Sequence, residues 1–309
     1  MIRRVNFMNK EIVSIIVLTY NNLKYLDECL SSIFMQNYDS MELIISDDCS
    51  KQFNYKYIKD YIDNKKSVNI VNYKIIHNTK NLGTVKNFNN AIKNSNGKYI
   101  IPLAIDDCFY NENVIKSIVE FFTNNDILIL SGYRIMYNKA INAKVKILPT
   151  KKQIEMLRGD NDKLYRILCK QNFISGSSTA YSRKFFDKYG LFDEAYILLE
   201  DYPKYMQILR KGEKIGFIDL PIIKYRVGGI STVHKTNSIL QNDFNLVISK
   251  EILPYKKIIG TTIYRLKKFE YMKLTKECNI FFLGILYPDI VFYKILKKLK
   301  LIDRDIYEC

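Results

Sequence analysis

Ile12-Val13-Ser14-Ile15-Ile16-Val17-Leu18-Thr19 decides the fold. An unbroken, mostly β-branched run of this length is a strand covered on both faces, the kind found inside parallel α/β sheets. Reading outward, Asn21 or Asn22 can cap a following helix in which Leu23, Leu26, Leu30, Ile33 and Phe34 fall at helical spacing. Met41 to Ser46 reads as a second strand, Tyr55 to Asp63 as a polar helix and Ile70 to Ile76 as a third strand. Asn81-Leu82-Gly83 is a turn before a helix through Val85, Phe88 and Ile92. Asn96-Gly97 ends that helix, and Lys98 to Leu103 is the fourth strand. Strands alternating with helices predict βαβ units with right-handed crossovers in a mostly parallel sheet. No G-x-G-x-x-G follows the first strand, which disfavours a dinucleotide cofactor.

The second half is less regular. Asp126 to Tyr137 is strand-like, and the basic stretch Lys139 to Lys152 reads as a loop or excursion. Ile174 to Ala180 is a run of small residues, and a short helix leads on to Tyr189-Gly190-Leu191-Phe192-Asp193-Glu194. Glu200-Asp201 then precedes a helix with Pro203 in its first turn and Gly212 at its end. Ile215 to Ile218 and Ile222 to Tyr225 look like two short strands, and from about Ser238 the chain reads as Lys-, Tyr-, Ile- and Leu-rich helices.

With 309 residues, 48% of them hydrophobic, the chain can bury a proper core. Its 48 basic and 32 acidic residues give a net charge of +16. That excess admits nucleic acid, anionic lipid or phosphorylated substrates as partners. No nucleic-acid motif accompanies it. The six cysteines are scattered without a C-x-x-C pair, which argues against a zinc site or a disulfide scaffold and for a reduced, cytoplasmic setting. No apolar signal-peptide core precedes the first strand, and no stretch approaches the roughly 18 to 20 apolar residues of a membrane span.

Two acid pairs sit where such strands end: Asp47-Asp48 after the second and Asp106-Asp107 after the fourth. Carboxyl ends of parallel strands face the ligand crevice. Acids from two strands can share one ligand if it offers hydroxyls, ring N–H groups or a cation, and a nucleotide diphosphate carried with a metal offers all three.

The opening strand with Tyr20-Asn21-Asn22, the Ser46-Asp47-Asp48-Cys49-Ser50 segment, Asn81-Leu82-Gly83, Asp106-Asp107, Gly190 to Glu194, Glu200-Asp201 and Tyr225-Arg226 follow in order. In that series the chain resembles the family 2 glycosyltransferases of GT-A fold, over residues 12 to about 232. The resemblance implies an α/β, Rossmann-like, mixed but mostly parallel sheet flanked by helices. It further implies a GT-A catalytic domain over 1–237, with a nucleotide-binding half at about 12–107 and an acceptor half at about 108–237. A helical C-terminal extension would cover 238–309. The implied reaction is metal-dependent and inverting: one hexosyl or N-acetylhexosaminyl unit passes from a nucleotide diphosphate, most simply a UDP-sugar, to a hydroxyl of a lipid-linked or oligosaccharide acceptor. Bacterial capsule, O-antigen or exopolysaccharide synthesis would use it.

Residue by residue, the resemblance sets Thr19, Tyr20 and Asn21 beneath the nucleoside, Asp47 against the base and Asn81 nearby. Asp106 would lie toward the ribose, and Asp107 would ligate Mn²⁺ or Mg²⁺, with His234 as a late ligand. Gly176, Ser177 and Ser178 would line the donor and acceptor pocket, Arg226 would neutralise phosphate, Asp201 would be the general base, and Glu200 would support it. Many relatives carry a further acid at the position of Ala104. Asp47 and Asp48 also have a purely local reading as turn caps, and Glu200-Asp201 one as acids at a helix start. The alternative function is a catalytically degenerate nucleotide-sugar-binding or membrane-scaffold module of the same fold.

The segment Phe281 to Tyr287, followed by Ile290, Val291, Phe292, Ile295, Leu296, Leu299 and Leu301, alternates apolar residues with lysines. Three readings stay open. It is an interfacial helix on an anionic membrane, which would hold the protein peripherally on the inner face of the cell membrane; it packs on the core; or it makes a homodimer contact.

Overall fold

The computed structural model describes residues 11–228, 237–276 and 278–299. One nine-stranded sheet organises them, in the order β3-β2-β1-β4-β8-β6-β9-β5 with β7 beside β6. The strands are β1 (Val13–Thr19), β2 (Met41–Asp47), β3 (Ile70–His77), β4 (Tyr99–Ala104), β5 (Cys108–Phe109), β6 (Ile129–Tyr137), β7 (Lys144–Leu148), β8 (Thr179–Ser182) and β9 (Ile215–Arg226). The β3-β2-β1-β4 portion is all parallel. β8 joins β4 and β6 antiparallel, and β6 and β9 run parallel to each other.

The opening run does what its composition dictates. Val13, Ile15 and Val17 enter a core with Leu26, Cys29, Leu30 and Ile33 of α1 (Leu26–Phe34), Ile58 and Ile62 of α2 (Tyr55–Lys65), and Ile115 and Ile118 of α4 (Val114–Asn124). Ile16 points the other way, into a second core with Val85, Phe88 and Ile92 of α3 (Thr84–Lys93). Each fully buried aliphatic side chain contributes about 1.5–3 kcal/mol, and the one polar residue inside β1, Ser14, is buried only because Glu42 and the Gly97 N–H satisfy its hydroxyl.

Around the second half run α5 (Lys151–Leu157), α6 (Asn161–Lys170), α7 (Arg183–Tyr189) and α8 (Asp201–Arg210). The C-terminal helices are α9 (Ser238–Val247), α10 (Lys256–Thr275), α11 (Ile280–Leu286) and α12 (Pro288–Lys298). Val247, Ile248, Ile259 and Ile263 share the second core with Tyr202 and Tyr205 of α8. Helices after Ser238 therefore pack directly on the element that carries Asp201.

Four local readings change. Neither Asn21 nor Asn22 caps a helix through its side chain. Asn21 instead adopts a left-handed φ of 53° and accepts the Lys51 N–H. The two short strands at 215–225 are one strand, β9, whose register against β6 shifts at Gly132-Tyr133-Arg134. Pro221 lacks an N–H, and that irregularity accommodates it. The strand expected from Asp126 begins at Ile129, and the basic stretch Lys139 to Lys152 contains β7, which closes a hairpin on β6.

Candidate active site

Parallel register brings the acid pairs together. Thr19 is level with Asp47 across β1 and β2, Leu18 is level with Ala104 across β1 and β4, and Ile105 donates its N–H to Leu18 O. Asp106-Asp107 thus turns off β4 beside the end of β1, with the Asp107 N–H closing on Ala104 O.

At the β2 end both carboxylates are fully engaged. Asp47, with no exposed surface, accepts the Ser50 N–H (2.8 Å), the Ser50 hydroxyl and His77 Nδ1 (2.7 Å), and the His77 ring stacks on Phe53 at 4.2 Å. For Asp47 to take a base N–H, the Ser50 hydroxyl or His77 would have to yield its place. Asp48 accepts the N–H groups of Leu82 and Gly83, both at 2.8 Å, and the Asn78 amide. It therefore holds the Asn81-Leu82-Gly83 turn. Asn81 is exposed and accepts the Gly83 N–H. Gly83 has a φ of 82°, and a Cβ there would lie 2.5 Å from the Ile197 side chain. Of the three residues expected under a nucleoside, Tyr20 is 47% exposed. Thr19 is buried with an unbonded hydroxyl, and Asn21 ties its loop to Ser50 and Lys51.

Asp107 is 1% exposed. Its Oδ1 accepts the Arg226 N–H (2.9 Å), and its Oδ2 has no hydrogen-bond donor. Burial pushes its carboxyl well above the usual carboxylate range, and the neighbouring Asp106 adds to this. Asp106 is raised too, chiefly by burial. A buried carboxylate oxygen without a donor is costly unless something positive meets it, so Asp107 Oδ2 with the adjacent Asp106 fits a hard divalent cation. No group of three or more His, Cys, Asp or Glu forms a metal cage among the described residues. Two carboxylates would leave coordination positions to phosphate oxygens and water. His234 lies outside the described residues.

Arg226 differs from the phosphate-facing residue expected. Its side chain is 3% exposed. The guanidinium pairs with Glu28, donates to the carbonyls of Asp106 (2.9 Å) and Lys139, and lies 4.1 Å over the Tyr25 ring. Every face is committed. It fastens the Asp106-Asp107 turn to α1 and the β6–β7 hairpin.

Glu200-Asp201 opens α8. Asp201, 8% exposed, accepts the Gly176 N–H (2.7 Å) on Oδ2 and the Tyr202 N–H (2.6 Å) on Oδ1. Burial raises its carboxyl, while these two donors favour the ionised form. Burial pushes Glu200 up from 4.5 to about 8, and the charge of Asp201 adds to the shift. Both carboxyls are thus harder to ionise here than in water, Glu200 the more so. Asp243 of α9 supports the approach to this pair by accepting the N–H groups of Ile197, Leu198 and Leu199 at 2.7–3.1 Å.

Gly176, Ser177 and Ser178 form a 3-10 turn running into β8. A Cβ at Gly176 would lie 2.9 Å from Asp201 Oδ2 and 3.1 Å from its Cβ. Gly176→Ala should therefore displace the carboxylate and cut turnover by about 10²-fold, the size of an ångström-scale misplacement, with nucleotide affinity unchanged. Steady-state kinetics beside nucleotide titration checks this, and normal turnover would mean the carboxylate needs no such placement.

Arg134 links the two ends of the cleft. It donates to Ser175 Oγ (2.9 Å), which in turn meets Ser177 Oγ, and its guanidinium lies 5.0 Å from the Tyr225 ring centre. Tyr225 precedes Arg226, whose N–H holds Asp107; Ser175 precedes Gly176, whose N–H holds Asp201. The positive charge of Arg134 favours ionisation of both carboxylates. One guanidinium thus lies within electrostatic reach of Asp107 and Asp201, and its Nε is buried without a partner.

His77, Arg134 and Asp243 escaped the sequence reading. His77 could have been found, since it ends β3 level with Asp47. A basic residue inside the Ile129 to Tyr137 strand was the available signal for Arg134. Asp243 sits on a helix with no motif.

Acid pairs thus stand at two parallel strand ends of a mixed sheet, and Glu200-Asp201 forms a further pair at the start of a helix. A family model described as Glycosyl transferase family 2 matches residues 14–190, and the chain belongs to that family. An uncharacterized glycosyltransferase of Haemophilus influenzae is 25% identical over 250 residues, covering 78% of this chain and 72% of that one. One of Rickettsia felis is 25% identical over 295 residues, covering 87% of this chain but only 45% of the relative, so this chain spans under half of that protein's length.

Among solved structures, the mannosyltransferase PcManGT from Pyrobaculum calidifontis, in complex with GDP-Man and Mn²⁺, superposes with a TM-score of 0.64 at 16% identity. The match covers 96% of this chain and 82% of that one. S. aureus TarS 1-349 in complex with UDP-GlcNAc gives a TM-score of 0.55 at 18% identity, over 85% and 81% of the two chains. The fold is GT-A, with C-terminal helices.

Proposed function

We propose that this chain transfers one hexosyl or N-acetylhexosaminyl unit, with inversion, from a UDP-sugar to a hydroxyl of a lipid-linked or oligosaccharide acceptor in bacterial surface-polysaccharide synthesis. The observation that carries it is Arg134, which bonds Ser175 beside the Gly176 that holds Asp201, lies 5.0 Å from the Tyr225 ring beside the Arg226 that holds Asp107, and favours ionisation of both carboxylates. Asp201 takes the acceptor hydroxyl proton, the acceptor oxygen forms its bond to the anomeric carbon, and the bond from that carbon to the diphosphate oxygen breaks with its electrons leaving on UDP. Burial favours the protonated form of Glu200, in which it donates a hydrogen bond to the acceptor and supports the base. Ser177 and Ser178 line the sugar site, and Thr19, Tyr20, Asn21, Asp47 and Asn81 surround the nucleoside. Mn²⁺ or Mg²⁺, held by Asp107 with Asp106, would offset charge developing on the diphosphate.

In this reading the catalytic domain ends near residue 237, the helices beyond it are an extension, and the enzyme works in the cytoplasm at the inner membrane face. The nucleotide-sugar complexes of PcManGT and TarS support the donor class. The test is a panel of nucleotide sugars with Mn²⁺, read by thermal stabilisation and by release of nucleoside diphosphate. Metal-dependent release of UDP from one UDP-sugar is the expected result. Binding without release under any acceptor or metal condition would instead support a degenerate sugar-binding module.

The paired acids also make a pH prediction independent of the acceptor. A carboxyl raised in the folded state contributes stability that is present below its unfolded value, 4.5, and lost as pH rises toward its folded value of about 8. Glu200→Gln cannot ionise. Its melting temperature relative to the parent should therefore climb between those two pH values and then level off. A difference independent of pH would remove the raised Glu200 from the site.

A further inference from the structure

We infer that α11 and α12 form a docking surface for an anionic lipid bilayer. Leu283 of α11 and Ile290 of α12 are buried in one small cluster with Leu266 and Phe269 of α10, so both helices rest on the same support. The sides turned away from it should be polar if they faced only water. Instead Phe281 is 70% exposed and Phe292 63%, and Phe282, Ile285, Leu286, Ile295 and Leu299 are also exposed. On α12 the spacing of Phe292, Ile295 and Leu299 draws a single stripe opposite buried Ile290 and Tyr293. Scattered exposed apolar residues are ordinary, but seven within residues 281–299, on two helices that share one support, mark an interaction surface.

Charge selects the occupant. Residues 256–299 carry ten lysines and arginines against three acids, and exposed Lys298 lies beside the α12 stripe, while Lys294 turns to Glu270 and the Phe269 ring of α10. An apolar strip on a strongly basic segment matches acyl chains beneath anionic headgroups, which take up both kinds of surface together. A second copy of this chain would bring the same excess of positive charge against itself. No helix among the described residues is long and apolar enough to cross a membrane, so the geometry is that of helices lying on the surface. Through α10, which packs on α6, itself packed on α8, the platform is coupled to the helix that carries Asp201. The inference does not depend on the transfer reaction.

The test is flotation of the full chain with vesicles of phosphatidylcholine plus phosphatidylglycerol, and with phosphatidylcholine alone. The parent protein should float with the anionic vesicles and much less with the neutral ones, and raised salt should release it. Phe282→Glu and Phe292→Glu should each lower the bound fraction by about 10-fold or more, with unchanged melting temperature because both side chains are already exposed. Lys298→Glu should weaken binding to anionic vesicles alone. A parent protein that stays unbound with both vesicle types overturns the inference. So does equal flotation of parent and both Phe variants. A dimer by light scattering that the Phe variants convert to monomer, without flotation, would assign the surface to a second copy instead. Nucleoside diphosphate release, measured without vesicles, reports separately on the transfer reaction.

Discussion

Asp201→Asn is expected to lower turnover by about 10²- to 10⁴-fold, the contribution of a positioned general base, while UDP affinity stays within about twofold. Asp201 touches none of the residues assigned to the nucleotide, so binding has no reason to change. Its two oxygens face two backbone donors, Gly176 N–H and Tyr202 N–H. Asparagine can satisfy one with its carbonyl, but its NH₂ then meets the other donor. A fall in melting temperature should therefore accompany the kinetic loss, equivalent to about 1–3 kcal/mol for a buried group left unsatisfied. Stopped-time product assays, isothermal titration with UDP and thermal melts on the same preparation separate these effects. If turnover were unaltered while the melting temperature fell, Asp201 would be only the helix-start acid of the local reading.

Asp107→Ala is expected to abolish the dependence of UDP binding on the cation. The affinity lost in the presence of Mn²⁺ should be at least about 10- to 100-fold, because even outer partners of a metal site cost that much when removed. The reason lies in Oδ2, a buried carboxylate oxygen with no protein donor, beside a second raised carboxyl. Titrations with Mn²⁺, with EDTA and on the variant should group as one tight and two weak cases. Equal affinity in all three would show that the diphosphate is held without an ion. Arg226→Lys is the informative companion: Arg226 is buried against Glu28 and the Asp106 carbonyl, so it should disturb the placement of Asp107 without removing a phosphate ligand.

Much of the architecture was legible because its causes are local. A both-faces-buried strand needs an unbroken apolar run, and Val13–Thr19 has one. Acids directly after such a run end up at a strand's carboxyl edge whatever surrounds them, which is why Asp47 and Asp107 could be singled out, whereas Asp201 opens a helix and was reached through the family resemblance. The same locality explains the misreadings. Leu220-Pro221 looks like a break between two strands, yet β9 passes through it because β6 shifts register alongside. The lysines of 139–152 suggest a loop, yet β7 is an edge strand and tolerates their exposure.

The sequence alone determined the strand–helix alternation and the strand ends on which Asp47 and Asp107 lie, since periodicity and strand-end chemistry act within a few residues, while the family was legible as a resemblance carried by seven segments in order. Only the tertiary structure decided what those acids meet: His77 on Asp47, Gly176 on Asp201, Arg226 beneath the Asp106-Asp107 turn, and Arg134 between the two halves. Those partners come from strands and helices 25 to 120 residues away in sequence, and which of them meet is set by sheet order and helix packing, which no local pattern encodes.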